Sequence, residues 1–205
     1  MNGRFFRIKT ITFIVALLVG GGLGYYYCNY YSPCSKSSGM AQANVSYAIE
    51  PYNANKDYQD IRELFEENWY WLTTRPYTPK GAEEYITHML VHKAPNDIEV
   101  RYFGKLNVSV LREEGKFVGF VAYYPENFHD GRVLYLAVKS EFRGKRYGQR
   151  LLMYAIDQLF KAGSKRVWLA TRINNRRAQS LYQRAGMKEY SREDDFLFFD
   201  IKQKV

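Results

Sequence analysis

The sequence predicts a mixed α/β (α+β) domain, a central sheet flanked by helices, preceded by an N-terminal apolar helix. Two observations carry this. After a short strand, two helical stretches precede a strand hairpin, and the chain then alternates strand, helix, strand, helix, strand. Of 205 residues, 46% are hydrophobic and 25% charged, ordinary globular usage that suits one core plus an appendage.

The appendage is N-terminal. Arg4, Arg7 and Lys9 precede an uncharged stretch that ends at Lys36. Its apolar run, residues 11–27, sits at the short end of the ~17–25 residues that span a bilayer. Tyr25, Tyr26 and Tyr27 stand where an interfacial aromatic belt would lie. Residues 1–31 therefore read as a membrane anchor or a signal-like segment, the uncleaved anchor being preferred over export after cleavage. Basic residues before the run place the N-terminus inside and the rest outside. Residues 32–43, rich in Ser and small residues, read as a linker, and residues 44–205 as the domain. Cys28 and Cys34 lack partners at zinc-finger spacing, so no metal is expected.

Within the domain, residues 45–52 read as a strand. Residues 55–72 have helical spacing, with Ile61, Leu64, Phe65, Asn68 and Trp69 recurring at three and four. Pro76 and Pro79 break that pattern, and residues 82–92 form a second helix. Residues 106–111 and 117–124 are strands joined by a turn at Glu113, Glu114, Gly115 and Lys116. Residues 125–131 are a loop and 133–138 another strand. Residues 148–161 are an amphipathic helix ended by Gly163. A strand at 166–171, a helix at 174–185 ended by Gly186, and a strand at 196–201 complete the order.

The formal net charge is +9, and residues 139–192 hold 14 Lys/Arg against 3 Asp/Glu. Such an excess attracts nucleic acid, anionic lipid or a cofactor with several phosphates. No stacking-aromatic or helix-turn-helix pattern accompanies the charge, so no nucleic acid is expected.

The motifs separate the rest. The strand Leu136-Ala137-Val138 feeds a turn, Arg143-Gly144-Lys145-Arg146-Tyr147-Gly148, which opens a helix. Unpartnered N–H groups at a helix start, and the helix dipole, favour an anion. Gly144 and Gly148 let backbone approach a phosphate, and Arg143, Lys145 and Arg146 add charge-assisted hydrogen bonds. One strand downstream, Ala178, Leu181, Tyr182 and Ala185 share a helical face that begins near Asn175.

These two stretches, in this order, resemble the GCN5-related N-acetyltransferase (GNAT) superfamily, whose patterns are Arg/Gln-x-x-Gly-x-Gly/Ala and Asn-x-x-Ala-x-x-Leu-Tyr-x-x-x-Gly-Phe. Arg143 and Gly148 match the first pattern. Asn175, Ala178, Leu181, Tyr182 and Gly186 match the second. The resemblance implies acetyl-CoA as co-substrate, no metal, and acetyl transfer to a primary amine by direct attack in a ternary complex, the acceptor being a small molecule or a protein. It implies that Leu136 and Val138 meet the pantetheine arm through backbone groups. Arg143, Gly144, Lys145, Arg146, Tyr147 and Gly148 would cradle the pyrophosphate, Asn175 would sit by the pantetheine, and Tyr182 would protonate the departing thiolate. The alternative is a non-catalytic CoA-binding or interaction module of the same fold.

The chain departs from the pattern in three places. Arg146 stands where the family has Gly, and Met187 replaces Phe. No carboxylate occurs in Arg132-Val133-Leu134-Tyr135, where some members carry a general base. Glu126, His129 and Asp130, a water relay, or an already neutral amine are the substitutes. Acyl-CoA is a cytosolic metabolite, at odds with a domain outside, so the side of the membrane is left open. His88 and His92 are i, i+4 but lack a third ligand. Asn44 and Asn107 begin glycosylation sequons, the second inside a strand. Trp69, Tyr70 and Trp71 suit either an acceptor pocket or the core.

Overall fold

The computed structural model describes residues 46–90 and 106–204. The apolar run, the linker, Cys28, Cys34, His92 and Asn44 lie outside the described residues. Among the described residues no helix is long and apolar enough to cross a membrane.

The element order is β1 (Tyr47–Pro51), α1 (Ala54–Glu67), α2 (Trp69–Leu72), α3 (Pro79–Leu90), β2 (Asn107–Glu113), β3 (Lys116–Pro125), β4 (Asp130–Val138), α4 (Tyr147–Lys161), β5 (Arg166–Arg172), α5 (Arg176–Arg184), β6 (Lys188–Glu193) and β7 (Phe196–Lys202). Seven strands form one sheet in the order β1-β2-β3-β4-β5-β7-β6. All neighbours are antiparallel except β4 and β5. The expected mixed sheet flanked by helices is what the described residues form.

Two apolar layers hold the sheet. On one face α1 and α3 place Ile61, Leu64, Phe65, Ile86 and Met89 against Val110, Phe120 and Tyr124. On the other, α4 places Leu151, Leu152, Ala155, Ile156 and Leu159 against Val121, Val167 and Phe199. Each Val, Leu, Ile, Phe or Met among them, fully buried, contributes roughly 1.5–3 kcal/mol. The first layer is bounded by a buried ion group. Arg112 on β2 bonds Asp57 of α1 and lies 2.9 Å from Glu50 of β1, while Asp57 also accepts from the Asn53 N–H that begins the helix.

The structure departs from the sequence expectations at three elements. The helix expected over 55–72 is two helices. The Asn68 side chain donates to the Leu64 carbonyl at 2.7 Å, and its backbone (φ −108, ψ 15) turns the chain. The next helix starts earlier, at Pro79, because proline suits a first helical position and the Thr78 hydroxyl accepts from the Gly81 N–H at 3.1 Å. Strand β6 has no counterpart in the expected order. It is an edge strand, exposed over most of its length and charged, so it carries no apolar alternation.

Candidate active site

β4 and β5 pair only from Asp130–Arg132 to Arg166–Trp168. Beyond Arg132 the two strands continue without pairing, to Val138 and Arg172. A bulge at Leu134 sharpens the parting: Tyr123 of β3 faces Val133 while its neighbour Ala122 faces Tyr135, leaving Leu134 as the extra residue. The bulge also breaks the alternation of faces. Val133 packs into the α4 layer, Leu134 and Tyr135 both into the α1/α3 layer, and Leu136 back into the α4 layer. On the β3 side, Gly119 faces Val138, and a Cβ there would collide with the Ala137 carbonyl oxygen.

The parting opens into a cavity of about 950 Å³. Leu136 and Val138 line it from β4, Thr171 from β5, Asn175 and Tyr182 from the α5 segment, and Trp71 and Thr73 from the α2 segment.

At the end of β4 the chain makes a short 3-10 turn, Ser140–Phe142, and enters the left-handed region twice, at Gly144 (φ 86) and at Arg146 (φ 64). Arg146 is the N-cap of α4, and no side chain caps that helix. The first N–H groups of α4, from Tyr147, Gly148 and Gln149 at the cavity wall, are therefore open to an anion. Position 146 does require the conformation that glycine adopts freely, and the chain holds an arginine there.

The expected donor residues separate into two groups. Leu136, Val138, Arg143, Gly144, Arg146, Tyr147, Gly148, Asn175 and Tyr182 all line the cavity. Lys145 does not; its ammonium lies 3.2 Å from Glu113 at the end of β2. The Tyr147 hydroxyl also donates to Glu113, so this side chain points into the core while its backbone faces the cavity. Arg143 donates from Nε to the Val138 carbonyl at 3.0 Å and from its guanidinium to Asn68 at 3.2 Å. Asn175 caps α5, its side-chain oxygen accepting from the Ala178 N–H at 3.2 Å. Gly186 (φ 84) ends α5, with the Met187 N–H bonded to the Tyr182 carbonyl at 3.0 Å. Met187 itself is buried in the α4 layer, where an apolar side chain of its size suffices.

Tyr182 stands edge-on to Phe199 at 5.5 Å. Burial pushes its phenol up to about 12, with a hydrogen bond to Thr171 acting in the opposite direction. The hydroxyl is thus fully protonated at neutral pH. Across the cavity the Tyr85 and Tyr135 hydroxyls share a 2.5 Å hydrogen bond. Burial raises both phenols, Tyr135 the further.

Glu126, Asp130 and His129 do not line the cavity. Glu126 accepts from the Trp168 indole at 2.5 Å, and Asp130 takes a two-pronged hydrogen bond from Arg166 at 3.0 and 3.1 Å. His129 is exposed at the paired end of β4 and β5. No described residue that lines the cavity is Asp or Glu. Among the described residues, no group of three or more His, Cys, Asp or Glu is placed to hold a metal ion.

How the cavity is roofed is not legible in the sequence. Trp69 is core, its indole donating to the Arg75 carbonyl at 2.7 Å, while Trp71 faces the cavity. Arg172, at the end of β5, donates to the Tyr70 carbonyl at 2.7 Å and the Thr73 carbonyl at 3.0 Å. Asn174 donates to the Tyr70 hydroxyl at 3.1 Å. With the Arg143–Asn68 bond, the roof is tied to both arms of the parted sheet. The aromatic run Trp69-Tyr70-Trp71 was the available signal for this roof, but the residues that hold it in place are distant in sequence.

Among the described residues, a mixed sheet that parts at a parallel pair, beside an open helix N-terminus and a half-buried neutral tyrosine, defines the class of acyl-CoA-dependent N-acyltransferases. The chain belongs to the acetyltransferase (GNAT) family, whose sequence model matches residues 58–187. An N-alpha-acetyltransferase 30 of Schizosaccharomyces pombe is 26% identical over 149 residues, 70% of this chain and 85% of that protein. A Bacillus subtilis protein provisionally named a [ribosomal protein bS18]-alanine N-acetyltransferase is 28% identical over 79 residues, 38% of this chain. The match spans only about half of that relative's length, 52%. Among solved structures, the PaiA N-acetyltransferase of Thermoplasma acidophilum, in complex with coenzyme A, shares the fold with a TM-score of 0.58 and 18% identity, over 77% of this chain and 99% of that one. Spermidine N-acetyltransferase of Vibrio cholerae, with CoA and spermine, gives 0.59 and 18%, over 77% and 95%.

Proposed function

We propose that the chain transfers an acetyl group from acetyl-CoA to the α-amine of a peptide or protein. The observation that carries the donor half is the stretch of β4 beyond Arg132 that no longer pairs with β5, running to an uncapped helix N-terminus. The pantetheine arm would lie along Leu136 and Val138, and the pyrophosphate on the first turn of α4, with Arg143 and Arg146 beside it. Asn175 would flank the arm.

The acceptor amine would enter beneath the roof formed by α2. It attacks the thioester carbonyl, forming the C–N bond; the tetrahedral intermediate then expels the thiolate, and Tyr182 donates its proton to the sulfur. The amine's surplus proton leaves to solvent, and the phenolate is reprotonated from there. Holding amine and thioester together supplies most of the acceleration.

The choice of an α-amine rests on acid–base chemistry. No Asp or Glu among the described lining residues stands ready as a base. At pH 7.5 about a third of α-amines are already neutral, against about 0.1% of lysine amines. Arg132, Arg143, Arg146, Arg176, Arg177 and Arg184 all line the cavity, an unfavourable field for a polyamine. The names of the Bacillus and Schizosaccharomyces relatives point the same way.

The test is calorimetry with CoA on the full chain, then thiol release from acetyl-CoA with a panel of peptides, lysine derivatives and spermidine. Release with free-N-terminal peptides and little with spermidine is the expected result. No CoA binding at millimolar ligand would sink the donor reading. Binding without release on any amine would favour a non-catalytic module. We retain residues 1–31 as a proposed membrane anchor, linked by 32–43 to the domain. Protease accessibility of a tagged C-terminus in intact cells reads its orientation.

A further inference from the structure

Glu113 ends β2 just before the hairpin turn, and it lines no part of the cavity. It is buried, 8% exposed. A carboxylate so placed needs donors, and both of its donors come from the pyrophosphate turn. The Lys145 ammonium lies 3.2 Å from one oxygen, and the Tyr147 hydroxyl donates to the other. These two residues flank Arg146, which sits at φ 64, ψ 13, a conformation that side chains with a Cβ disfavour. The left-handed residue is therefore pinned on both sides by one carboxylate.

The rest of the neighbourhood reinforces the pin. The Tyr147 ring lies among Phe142 at 6.5 Å and Tyr47 at 6.4 Å, and Lys145 also stands 5.4 Å from the Phe142 ring centre. A leucine at position 147 would fill the same core space and offer Glu113 no hydrogen bond. An arginine in place of glycine at 146 and a hydroxyl at 147 thus go together in this chain.

We propose that Glu113 is a positioning residue for donor binding: by clamping Lys145 and Tyr147 it holds Arg146 left-handed and so presents the first N–H groups of α4 to the pyrophosphate. The proposal rests on the donor reading above. Glu113 itself touches no cofactor. Its contribution is conformational, so it becomes dispensable once residue 146 is a glycine.

The experiment is calorimetry of CoA with the full chain and with Glu113→Gln, Arg146→Gly and the double variant, and thermal melts to confirm folding. Glu113→Gln weakens CoA about tenfold, equivalent to ~1.4 kcal/mol. Arg146→Gly removes a charge beside the pyrophosphate and has its own cost, but in that background adding Glu113→Gln costs little further. A merely structural role for Glu113 would give no such coupling. Tyr147→Phe, which keeps the ring in the core, removes one arm of the clamp and is expected to show the same coupling at smaller size if Glu113→Gln fails to fold. A Gln variant that binds CoA as tightly as the unaltered chain overturns the clamp, as does a Glu113→Gln loss equally large in the unaltered chain and in the Arg146→Gly background. If the unaltered chain binds no CoA, the donor reading falls and the clamp's role in it falls too.

Discussion

Arg172 holds Tyr70 by backbone and ring at once: its Nε donates to the Tyr70 carbonyl at 2.7 Å, and its guanidinium carbon lies 4.3 Å from the Tyr70 ring centre. Residues 102 apart in sequence thus fix the roof of the cavity to the end of β5. Charged hydrogen bonds of this kind contribute roughly 1.5–3 kcal/mol each. Arg172→Ala should loosen α2 and raise the acceptor KM roughly tenfold or more, leaving CoA affinity nearly unchanged. Steady-state kinetics with the acceptor varied, beside CoA calorimetry, checks this. An equal loss in both would move Arg172 out of the acceptor side.

Tyr182 carries a separate prediction. Tyr182→Phe keeps the ring on Phe199 and removes the proton, so kcat should fall about 10²-fold while CoA affinity holds. The phenol is raised to about 12 by burial, so it remains a donor until pH rises toward that value. A pH profile of kcat should therefore show no Tyr182 limb below about pH 10. A limb between about pH 6 and 9 reports the acceptor amine, and it should shift when the acceptor's own pKa is changed.

Glu113 predicts a pH dependence of stability. Its carboxyl is held below the usual value by the Tyr147 hydrogen bond first and by Lys145, with burial opposing. A depressed folded-state pKa means the stabilisation is present above the unfolded value near 4.5 and is lost as pH falls through the lower folded value. Melting temperatures of the unaltered chain and Glu113→Gln should differ at about pH 7 and converge below about pH 4. A difference that stays constant down to about pH 3 would contradict the assignment.

The ion group at Arg112 should be a stability determinant. Arg112→Met leaves Asp57 buried without its cation, a change that costs about 3–5 kcal/mol in comparable sites. Urea unfolding measures it. Adding Asp57→Asn in the same chain should recover part of the loss.

Much of the fold was legible because burial writes itself as periodicity. Leu151, Leu152, Ala155, Ile156 and Leu159 announce α4, and the hairpin turn at Glu114 and Gly115 fixes the pairing of β2 with β3. β6 was not legible, since an exposed edge strand needs no apolar face. The Asn68 break was hidden because Asn also fits the helical spacing of the residues around it. For the site, the turn from Arg143 to Gly148 could be read from glycine and charge. The engagement of Lys145 with Glu113 could not: sequence shows that a lysine is present, and only tertiary packing decides which anion it meets. The roof ties of Arg172 and Arg143 are long-range for the same reason. Glu126 and Asp130 looked available as bases in the sequence, and the structure engages both elsewhere, with Trp168 and Arg166.

The bulge at Leu134 and the end of pairing after Arg132 leave the sheet with a missing rung. A guest with amide groups along an extended arm can take that rung's place and complete the ladder between β4 and β5. Such a guest would then act as a temporary eighth strand, joining the two halves of the sheet mechanically as well as filling a hole. Amide hydrogens on the far half of β4 should exchange with solvent more slowly once it is seated, and the whole domain should melt higher in proportion to the logarithm of its concentration. The donor would be, on this view, a removable piece of the fold.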